Sequence, residues 1–529
     1  MSRENEGRVI LSGSLLFDEL VHVGGMATSA GYDALPAENG IGQWVIPGTS
    51  VIGVLRSWMN DRTSGDTDES ELVQNVFGDH DGTRGAARLK VDDVVLENAS
   101  VVLVDGVGIN RFTGAAADSI KFDRLALQVD THVPFRLTCE FGDQLSQATA
   151  EKFVREVASG LHHGQLRVGG STARGFGCIR LVGRKGEGTP KMGTQLSNRA
   201  GVLDRLNKKE RTEPIKDLVA ESDANINIEI VLESLTSTFS KSNVDGTAID
   251  TLPRVEVRRG KPVLVIGATS VKGVLRSEAE RILRTIHKID ISMDDPHLEQ
   301  VMLPLVNELF GYARIGDEGA VDQAHENEAK HYVSGSRAAI AFTDLLGDLN
   351  CTPEQWNSIY RLATGLTSKS NDDRQKILKT IGEAKLNWLV TDHVAIDRWT
   401  GGAAEGKLFS VLEPHGVTWR PLKLSLNQTQ LSSMSSGNGE PINPLSGLAI
   451  LLLTLQALDD GSIGLGWGTT RGHGSVRVSH IKISGIPNHK ELRIERTRHG
   501  LGSLIQDIEL EAPSLVEELR QAWKSEVAK

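Results

Sequence analysis

Cysteine is close to absent, with only Cys139, Cys178 and Cys351 in 529 residues. An odd, widely spaced set excludes a disulfide framework and a thiolate zinc site, and it fits a reducing, cytoplasmic setting. Long apolar runs are missing too: the first residues lack the hydrophobic core of a signal peptide, and Leu448 to Leu458 (LAILLLTLQAL) is too short to cross a bilayer. No membrane partner is expected. A basic excess is also lacking. The formal net charge of −11 excludes a wholly basic nucleic-acid binder. Arginine and lysine nevertheless gather at Arg111, Lys121 and Arg124, and again at Arg254, Arg258, Arg259 and Lys261, which leaves room for an acidic body with a basic groove. There is no Walker motif or dinucleotide fingerprint. Histidine shows no metal-ligand spacing: His162 and His163 are adjacent, and His22 has no counterpart beside Asp250.

What is present is a duplication. Pro47 to Ser57 (PGTSVIGVLRS) recurs as Gly267 to Ser277 (GATSVKGVLRS) with eight identities in eleven positions. Three further blocks recur in the same order: GYDALP (Gly31 to Pro36) with AIDTLP (Ala248 to Pro253), NRFTGAA (Asn110 to Ala116) with DRWTGGAA (Asp397 to Ala404), and GSTARGFGCIRL (Gly170 to Leu181) with WGTTRGHGSVRV (Trp467 to Val478). Four matches in one order imply two copies of an ancestral module. We expect a first module over residues 1–183, a flexible glycine- and charge-rich linker over 184–223, and a longer second module over 224–529. Charged, helix-prone stretches near Glu278 to Glu328 and Thr352 to Leu386 look like insertions in the second.

Each module opens on an alternating strand, carried by Val9, Leu11, Leu15 and Phe17 and by Ile226, Ile228, Ile230 and Leu232. The GVLRS block reads as a helix capped by Thr49 or Ser50 in one half and Thr269 or Ser270 in the other. Apolar helices near Ala148 to Leu161 and Leu445 to Leu458 precede a glycine-arginine loop and a closing strand. Strand, helix, strands, helix, strand predicts an α+β fold: two tandem ferredoxin-like or RNA-recognition-type sandwiches, with helical insertions in the second.

The recurring residues admit structural and chemical readings. Gly53 and Gly273 each cost a helix about 1 kcal/mol relative to alanine; they serve either close packing of helix on sheet or close approach of a phosphate to the helix start, with Arg56 and Arg276 one turn on. The loops around Gly170, Arg174 and Gly175, and around Arg471 and Gly472, have the composition of phosphate-cradling nests. The NRFTGAA and DRWTGGAA segments read as hairpin tips. These are either ordinary turns or fingers in which Phe112 and Trp399 stack on bases and Arg111 and Arg398 meet phosphate. Asp33 and Asp250 sit in flexible loops, either as turn formers or as carboxylates beside a bound RNA phosphate.

On these blocks the sequence resembles the RAMP superfamily, in particular the backbone subunits that line CRISPR RNA in type III CRISPR-Cas effectors of antiviral defence. HVGG (His22 to Gly25), IPGTSVIGVLRS, VFG (Val76 to Gly78) and STARGFG carry the resemblance in the first half. VIGATSVKGVLRS, LFG (Leu309 to Gly311), HVAIDRWTGGAAEGKLF (His393 to Phe409) and TTRGHG carry it in the second. A tandem fusion of this kind is similar to type III-D-like arrangements. The resemblance implies modified RNA-recognition-type domains with thumb hairpins, CRISPR guide RNA and target RNA as ligands, and other type III effector subunits as partners. It implies RNA contacts at Gly48, Thr49, Ser50, Gly53, Arg56, Thr269, Ser270, Lys272, Gly273 and Arg276, beside those named above. It further implies endoribonuclease cleavage of target RNA at regular intervals, with Asp33 and Asp250 catalytic and a divalent ion, Mg2+ or Mn2+, as cofactor. The ligands of that metal are unknown. Asp245 competes with Asp250 for the role, and FSKSNVDG replaces HVGG. The alternatives are a guide-RNA scaffold whose cleavage is carried by neighbouring subunits and a guide-processing ribonuclease, for which no paired histidine site is found.

Overall fold

A computed structural model of the chain describes residues 5–25, 34–63, 67–78, 86–207, 212–216, 218, 225–295, 300–301, 303–312, 335–365, 371–434, 441–496 and 503–527. The chain forms two compact units, 1–107 with 118–224 and 108–117 with 225–529. Each is an α+β unit with its own core. The tip of the first hairpin, 108–117, belongs to the second unit.

The first unit is organised on strand β1 (Asn5–Phe17), which alternates as expected but is covered on both faces, since Ile10, Ser12 and Ser14 are buried along with Val9, Leu11 and Leu15. Helix α1 (Gly48–Thr63) lays Val51, Leu55 and Met59 into the core at successive turns. After it come β2 (Leu89–Val91), the hairpin β3 (Ser100–Ile109) and β4 (Ala116–Gln128), and β5 (Val133–Gly142). Helix α2 (Gln147–His162) is capped by Ser146, whose hydroxyl accepts from the Thr149 amide. The strands β6 (Ile179–Val182), β7 (Lys191–Leu196) and β8 (Glu213–Pro214) complete a sheet in which β1 pairs antiparallel with β5 on one edge and with β6 and β7 on the other. Part of the expected flexible linker is therefore sheet. The segment 184–223 supplies β7, registered from Gly7↔Leu196 to Ser12↔Lys191, because backbone pairing along the open edge of β1 orders a stretch too polar to read as a strand.

In the second unit, β9 (Asn225–Ser234) is the central strand, with Ile226, Ile228, Ile230 and Leu232 inward. Next come β10 (Val255–Arg258), β11 (Lys261–Ile266) and helix α3 (Ala268–His287), which buries Val271, Leu275, Ala279 and Leu283. Glu278 to His287 is thus the end of a core helix, whereas an insertion was expected from Glu278 to Glu328; residues 296–299, 302 and 313–328 of that stretch lie outside the described residues. Strands β12 (Ile340–Phe342), β13 (Leu345–Asp348), the hairpin β14 (Trp388–Ile396) and β15 (Ala403–Pro414), β16 (Thr418–Trp419) and β17 (Leu422–Asn427) follow. Apolar helix α4 (Pro444–Asp459) and strands β18 (Val476–Ser484) and β19 (Leu492–Glu495) close the unit. The main sheet has the order β12-β17-β9-β18-β19. Helices Pro353–Thr364 and Asn371–Glu383 form a smaller core of Trp356, Ile359, Ile377 and Ile381 that also takes in Ile249, Leu252, Trp388 and Leu412. This insertion therefore supports the Asp250 loop and the base of the second hairpin.

Candidate nucleic-acid interface

The two units repeat at the level of single hydrogen bonds. In the first, the Gly170 amide donates to the His22 carbonyl at 2.7 Å; in the second, the Trp467 amide donates to the Phe239 carbonyl at 2.7 Å. The preceding glycines, Gly169 (φ +87°) and Gly466 (φ +89°), are left-handed, and a Cβ on either would sit 2.2 Å from those carbonyl oxygens. Only glycine allows this close approach of loop to strand. Ala34 bridges in parallel to Arg124 and Thr251 to Val411, and Gly24 pairs antiparallel with Pro36 as Lys241 does with Pro253. This register makes Asp250, and not Asp245, the counterpart of Asp33. It also makes Phe239 the counterpart of His22.

The twin geometry brings the glycine loop to the base of the hairpin in each unit. The Arg174 guanidinium lies over the Phe122 ring at 5.8 Å, and Arg471 over Phe409 at 5.6 Å. Both pairs are cation–π contacts. Arg124 also approaches Phe122 at 5.9 Å and hydrogen-bonds the Ser171 hydroxyl, while Arg471 lies 5.1 Å from the Trp467 ring. His22 is buried, with Nδ1 2.7 Å from the Leu125 carbonyl oxygen. Burial, aided by the Arg124 charge, pushes its pKa below the ordinary histidine value against the effect of that hydrogen bond.

At the far ends of the hairpins, the Asn110 side chain accepts from the amides of Phe112 and Thr113, and Asp397 accepts from the Trp399 amide and the Thr400 hydroxyl. These turns hold the aromatics outward: Phe112 is 57% exposed and Trp399 95%. Bonds from the Trp399 amide and the Thr400 side chain lower the Asp397 pKa. Arg398 is exposed beside Trp399, as are Arg471 and Gly472. Arg111, in contrast, is folded into the second unit. Its Nε lies 2.5 Å from the buried Glu280 carboxylate, and its amide donates to Gln300 at 2.9 Å.

The helix starts differ from expectation. The amide of Gly48 donates to Asp93 Oδ1, and that of Ala268 to Asp344 Oδ1, each at 2.8 Å. An aspartate thus takes the first free amide in both units, at the place where one of the two readings of the sequence puts a phosphate. Thr49 and Ser270 are exposed, Ser50 and Thr269 half-buried, and Lys272 is buried. Gly53 and Gly273 face outward, and a methyl group on either would meet nothing within 4 Å. Packing of helix on sheet therefore does not explain them. Arg56 is half-buried and forms no ion pair among the described residues. Arg276 is committed internally, at 2.7 Å from Glu280 and bonded to the Gly311 carbonyl and Asn307.

Asp33 lies outside the described residues; its neighbour Ala34 is paired at the base of the first hairpin. Asp250 is half-buried, with Oδ2 accepting from the Ser410 amide at 2.8 Å and its hydroxyl at 3.0 Å. Its Oδ1 accepts no hydrogen bond from the described residues. One free oxygen on an oriented carboxylate suits a hard ion such as Mg2+ or Mn2+, which binds through one or two carboxylates and keeps its waters. Asp245 is exposed and pairs with Lys241 at 2.7 Å.

The sequence profile of the RAMP superfamily matches residues 19–180 and 245–477. The chain belongs to the RAMP superfamily. The two matched regions coincide with the two copies, so this is a tandem RAMP chain. No curated protein matches it. Among solved structures, a chain of a type III-B Cmr-beta complex, determined by cryo-EM in the apo state, is similar at 10% identity and a TM-score of 0.27, over 32% of this chain and 96% of that one. A similarity of that size does not by itself define a fold.

Two sets of residues in this RAMP chain escaped the reading of the sequence. Phe122 and Phe409 lie just beyond the repeated hairpin segments, each twelve residues after Asn110 or Asp397, and that matched position was the available signal. The second set has no such signal. His393 on β14, Glu413 and His415 at the end of β15, and His473 in the glycine loop meet at the base of the second RAMP hairpin. His393 also stacks on Phe409 at 5.2 Å and 17°. Burial lowers the His473 pKa, with Glu413 pulling the other way. Burial would raise the Glu413 pKa, yet the Thr391 hydroxyl, His473 and His393 hold it below the usual glutamate value.

Proposed function

We propose that this protein is a double backbone subunit of a type III CRISPR-Cas effector complex, binding CRISPR guide RNA and complementary target RNA across two fused RAMP units and cleaving the target at regular intervals. The observation that carries the RNA reading is the matched pair of cationic, aromatic platforms, Arg174 over Phe122 and Arg471 over Phe409. In the second unit that platform underlies a hairpin whose Trp399 ring is almost wholly exposed. A solvent-facing tryptophan next to arginine is the residue pair that stacks bases and meets phosphate. Outward glycines at positions 53 and 273 leave the backbone open to a closely approaching strand. The motif resemblance supports the type III setting and the other effector subunits as partners.

Cleavage is assigned to Asp33 and Asp250 with a divalent ion, Mg2+ or Mn2+. When bound, the ion would neutralise charge on the scissile phosphate. Asp250 Oδ1 is the oxygen that would meet it, while Ser410 holds Oδ2 and fixes the carboxylate's orientation. In the RNA, the 2′-hydroxyl beside the phosphate attacks phosphorus while the carboxylate positions it or accepts its proton; the bond to the 5′-oxygen of the next nucleotide breaks, leaving a 2′,3′-cyclic phosphate and a 5′-hydroxyl protonated from water. The same Ser410 bonds favour a second reading for this unit, in which Asp250 only locks the loop to the hairpin.

Labelled complementary RNA, offered to the guide-loaded complex with Mg2+ or Mn2+, separates these readings. The expected outcome is loss of one product with Asp33→Ala and of another with Asp250→Ala. Unchanged products in the Asp250→Ala complex would leave the second unit a scaffold. Trp399→Ala should weaken RNA binding by about 1–3 kcal/mol, and an unchanged affinity would remove the stacking role.

A further inference from the structure

We propose that the second unit holds a borderline-soft divalent cation, of the Zn2+ class, between His393, Glu413 and His473, pinning the base of the hairpin to the glycine loop. The inference stands apart from the RNA reading, because it rests on donor chemistry alone.

One donor atom from each of His393, Glu413 and His473 lies within 4.8 Å of the other two. Around the carboxylate, Oε1 is 3.3 Å from His393 Nε2 and 3.9 Å from His473 Nε2, and His415 Nε2 is 3.5 Å from Oε2. Donors bound tetrahedrally at about 2.0–2.1 Å lie roughly 3.3 Å apart, so His393 and Glu413 already have the spacing of two ligands and His473 would have to draw closer around an ion. The second observation is independent of that spacing. His473 is only 9% exposed and directs Nε2 into the cluster, yet this buried nitrogen has no hydrogen-bond partner among the described residues. The buried Nε2 of His415 is unsatisfied as well. A buried polar atom without a partner costs about 1–3 kcal/mol, and two converging on one buried carboxylate call for a common ligand.

A water bridging two imidazoles would answer the orphaned nitrogens but would bring no positive charge to the buried Glu413 carboxylate, which the Thr391 hydroxyl and His393 reach only through hydrogen bonds. A dication answers both. Two or three imidazoles and one carboxylate suit Zn2+, whereas Mg2+ and Ca2+ require oxygen donors throughout. The site is therefore chemically distinct from the hard ion assigned to Asp250. Thr391, whose hydroxyl donates to Glu413 Oε1, orients the carboxylate from outside the donor set. The mechanical consequence follows from where the donors sit. His393 and Glu413 belong to opposite strands of the hairpin, and His473 lies two residues from Arg471. An ion here fixes the hairpin relative to the loop that carries that arginine.

The test uses the full chain, stripped with a chelator, loaded with ZnCl2, gel-filtered and assayed for metal content, with affinity read against a chromophoric zinc chelator. The expected result is about one zinc per chain. Affinity should fall about 10-fold or more with Glu413→Gln and with His473→Ala, stay unchanged with the exposed His480→Ala, and be indifferent to excess MgCl2. Zinc should raise the thermal transition of the wild type but not of Glu413→Gln. Because a variant can fail to fold, the wild type alone supplies a second readout: zinc should protect His393 from diethyl pyrocarbonate while His480 stays reactive. Zinc absent from the wild type, retained equally by both variants, or giving His393 no protection overturns the proposal.

Discussion

Gly53 and Gly273 show how little a recurring residue says until its surroundings are known. Each sits inside a helix, faces outward, and has open space where a side chain would project. An exposed helical glycine loses about 1 kcal/mol to alanine with no packing to offset it. We therefore predict that Gly53→Ala and Gly273→Ala stabilise the protein by roughly 0.5–1 kcal/mol while weakening RNA binding, read by thermal melting and filter binding on the same samples. Stabilisation with unchanged RNA affinity would show that no ligand approaches these helix faces. The recurrence was legible in the sequence. Which way the glycines face was not, because helical periodicity gives relative positions around the axis and leaves open which neighbours cover them.

Among the elements, α3 and its surroundings depart most from what the arginine-rich motif suggests. Glu280 is fully buried and meets Arg111, Arg276 and Arg284 at 2.5, 2.7 and 3.5 Å. Two arginines expected at phosphate are thus held by one carboxylate. Removing that carboxylate would strand buried guanidinium groups, a change that typically costs about 3–5 kcal/mol. Glu280→Gln should therefore lower the calorimetric transition of the second unit markedly, and a shift within experimental error would show the cluster to be hydrated and weak. A sequence marks an arginine as cationic but not as already neutralised, since its partner here is 169 positions from Arg111 along the chain. The edge strand β7 teaches the same lesson for backbone: its pairing with β1 is non-local, and its composition reads as linker.

For the whole molecule, the duplication decides most of the behaviour. Two cores, two hairpins and two glycine loops recur in one order within a chain of net charge −11, and among the described residues no helix is long and apolar enough to cross a membrane. On the proposed function, an acidic chain that meets RNA through a few arginines should show a modest salt dependence. Four phosphates neutralised along a single strand correspond to a slope of about −2.8 for log affinity against log salt. A titration from low to high KCl should return a slope near that value, and a slope near zero would exclude phosphate contacts as the source of affinity.

The amino-acid sequence by itself determined the two-copy organisation, the α+β class, the glycine loops and the hairpin tips, because each rests on local pattern: alternation, helical spacing, and glycine where a backbone must turn left. It also marked Asp33 and Asp250 as a pair, which the bridge register of Ala34 and Thr251 supports without deciding their chemistry. Only the tertiary structure decided which charges are already answered and which polar groups are not. Asp93 and Asp344 occupy the helix starts, Glu280 gathers the arginines, and His393, Glu413 and His473 converge across 80 residues of chain. Such encounters depend on folding bringing distant residues within a few ångströms, and no spacing along the chain records them.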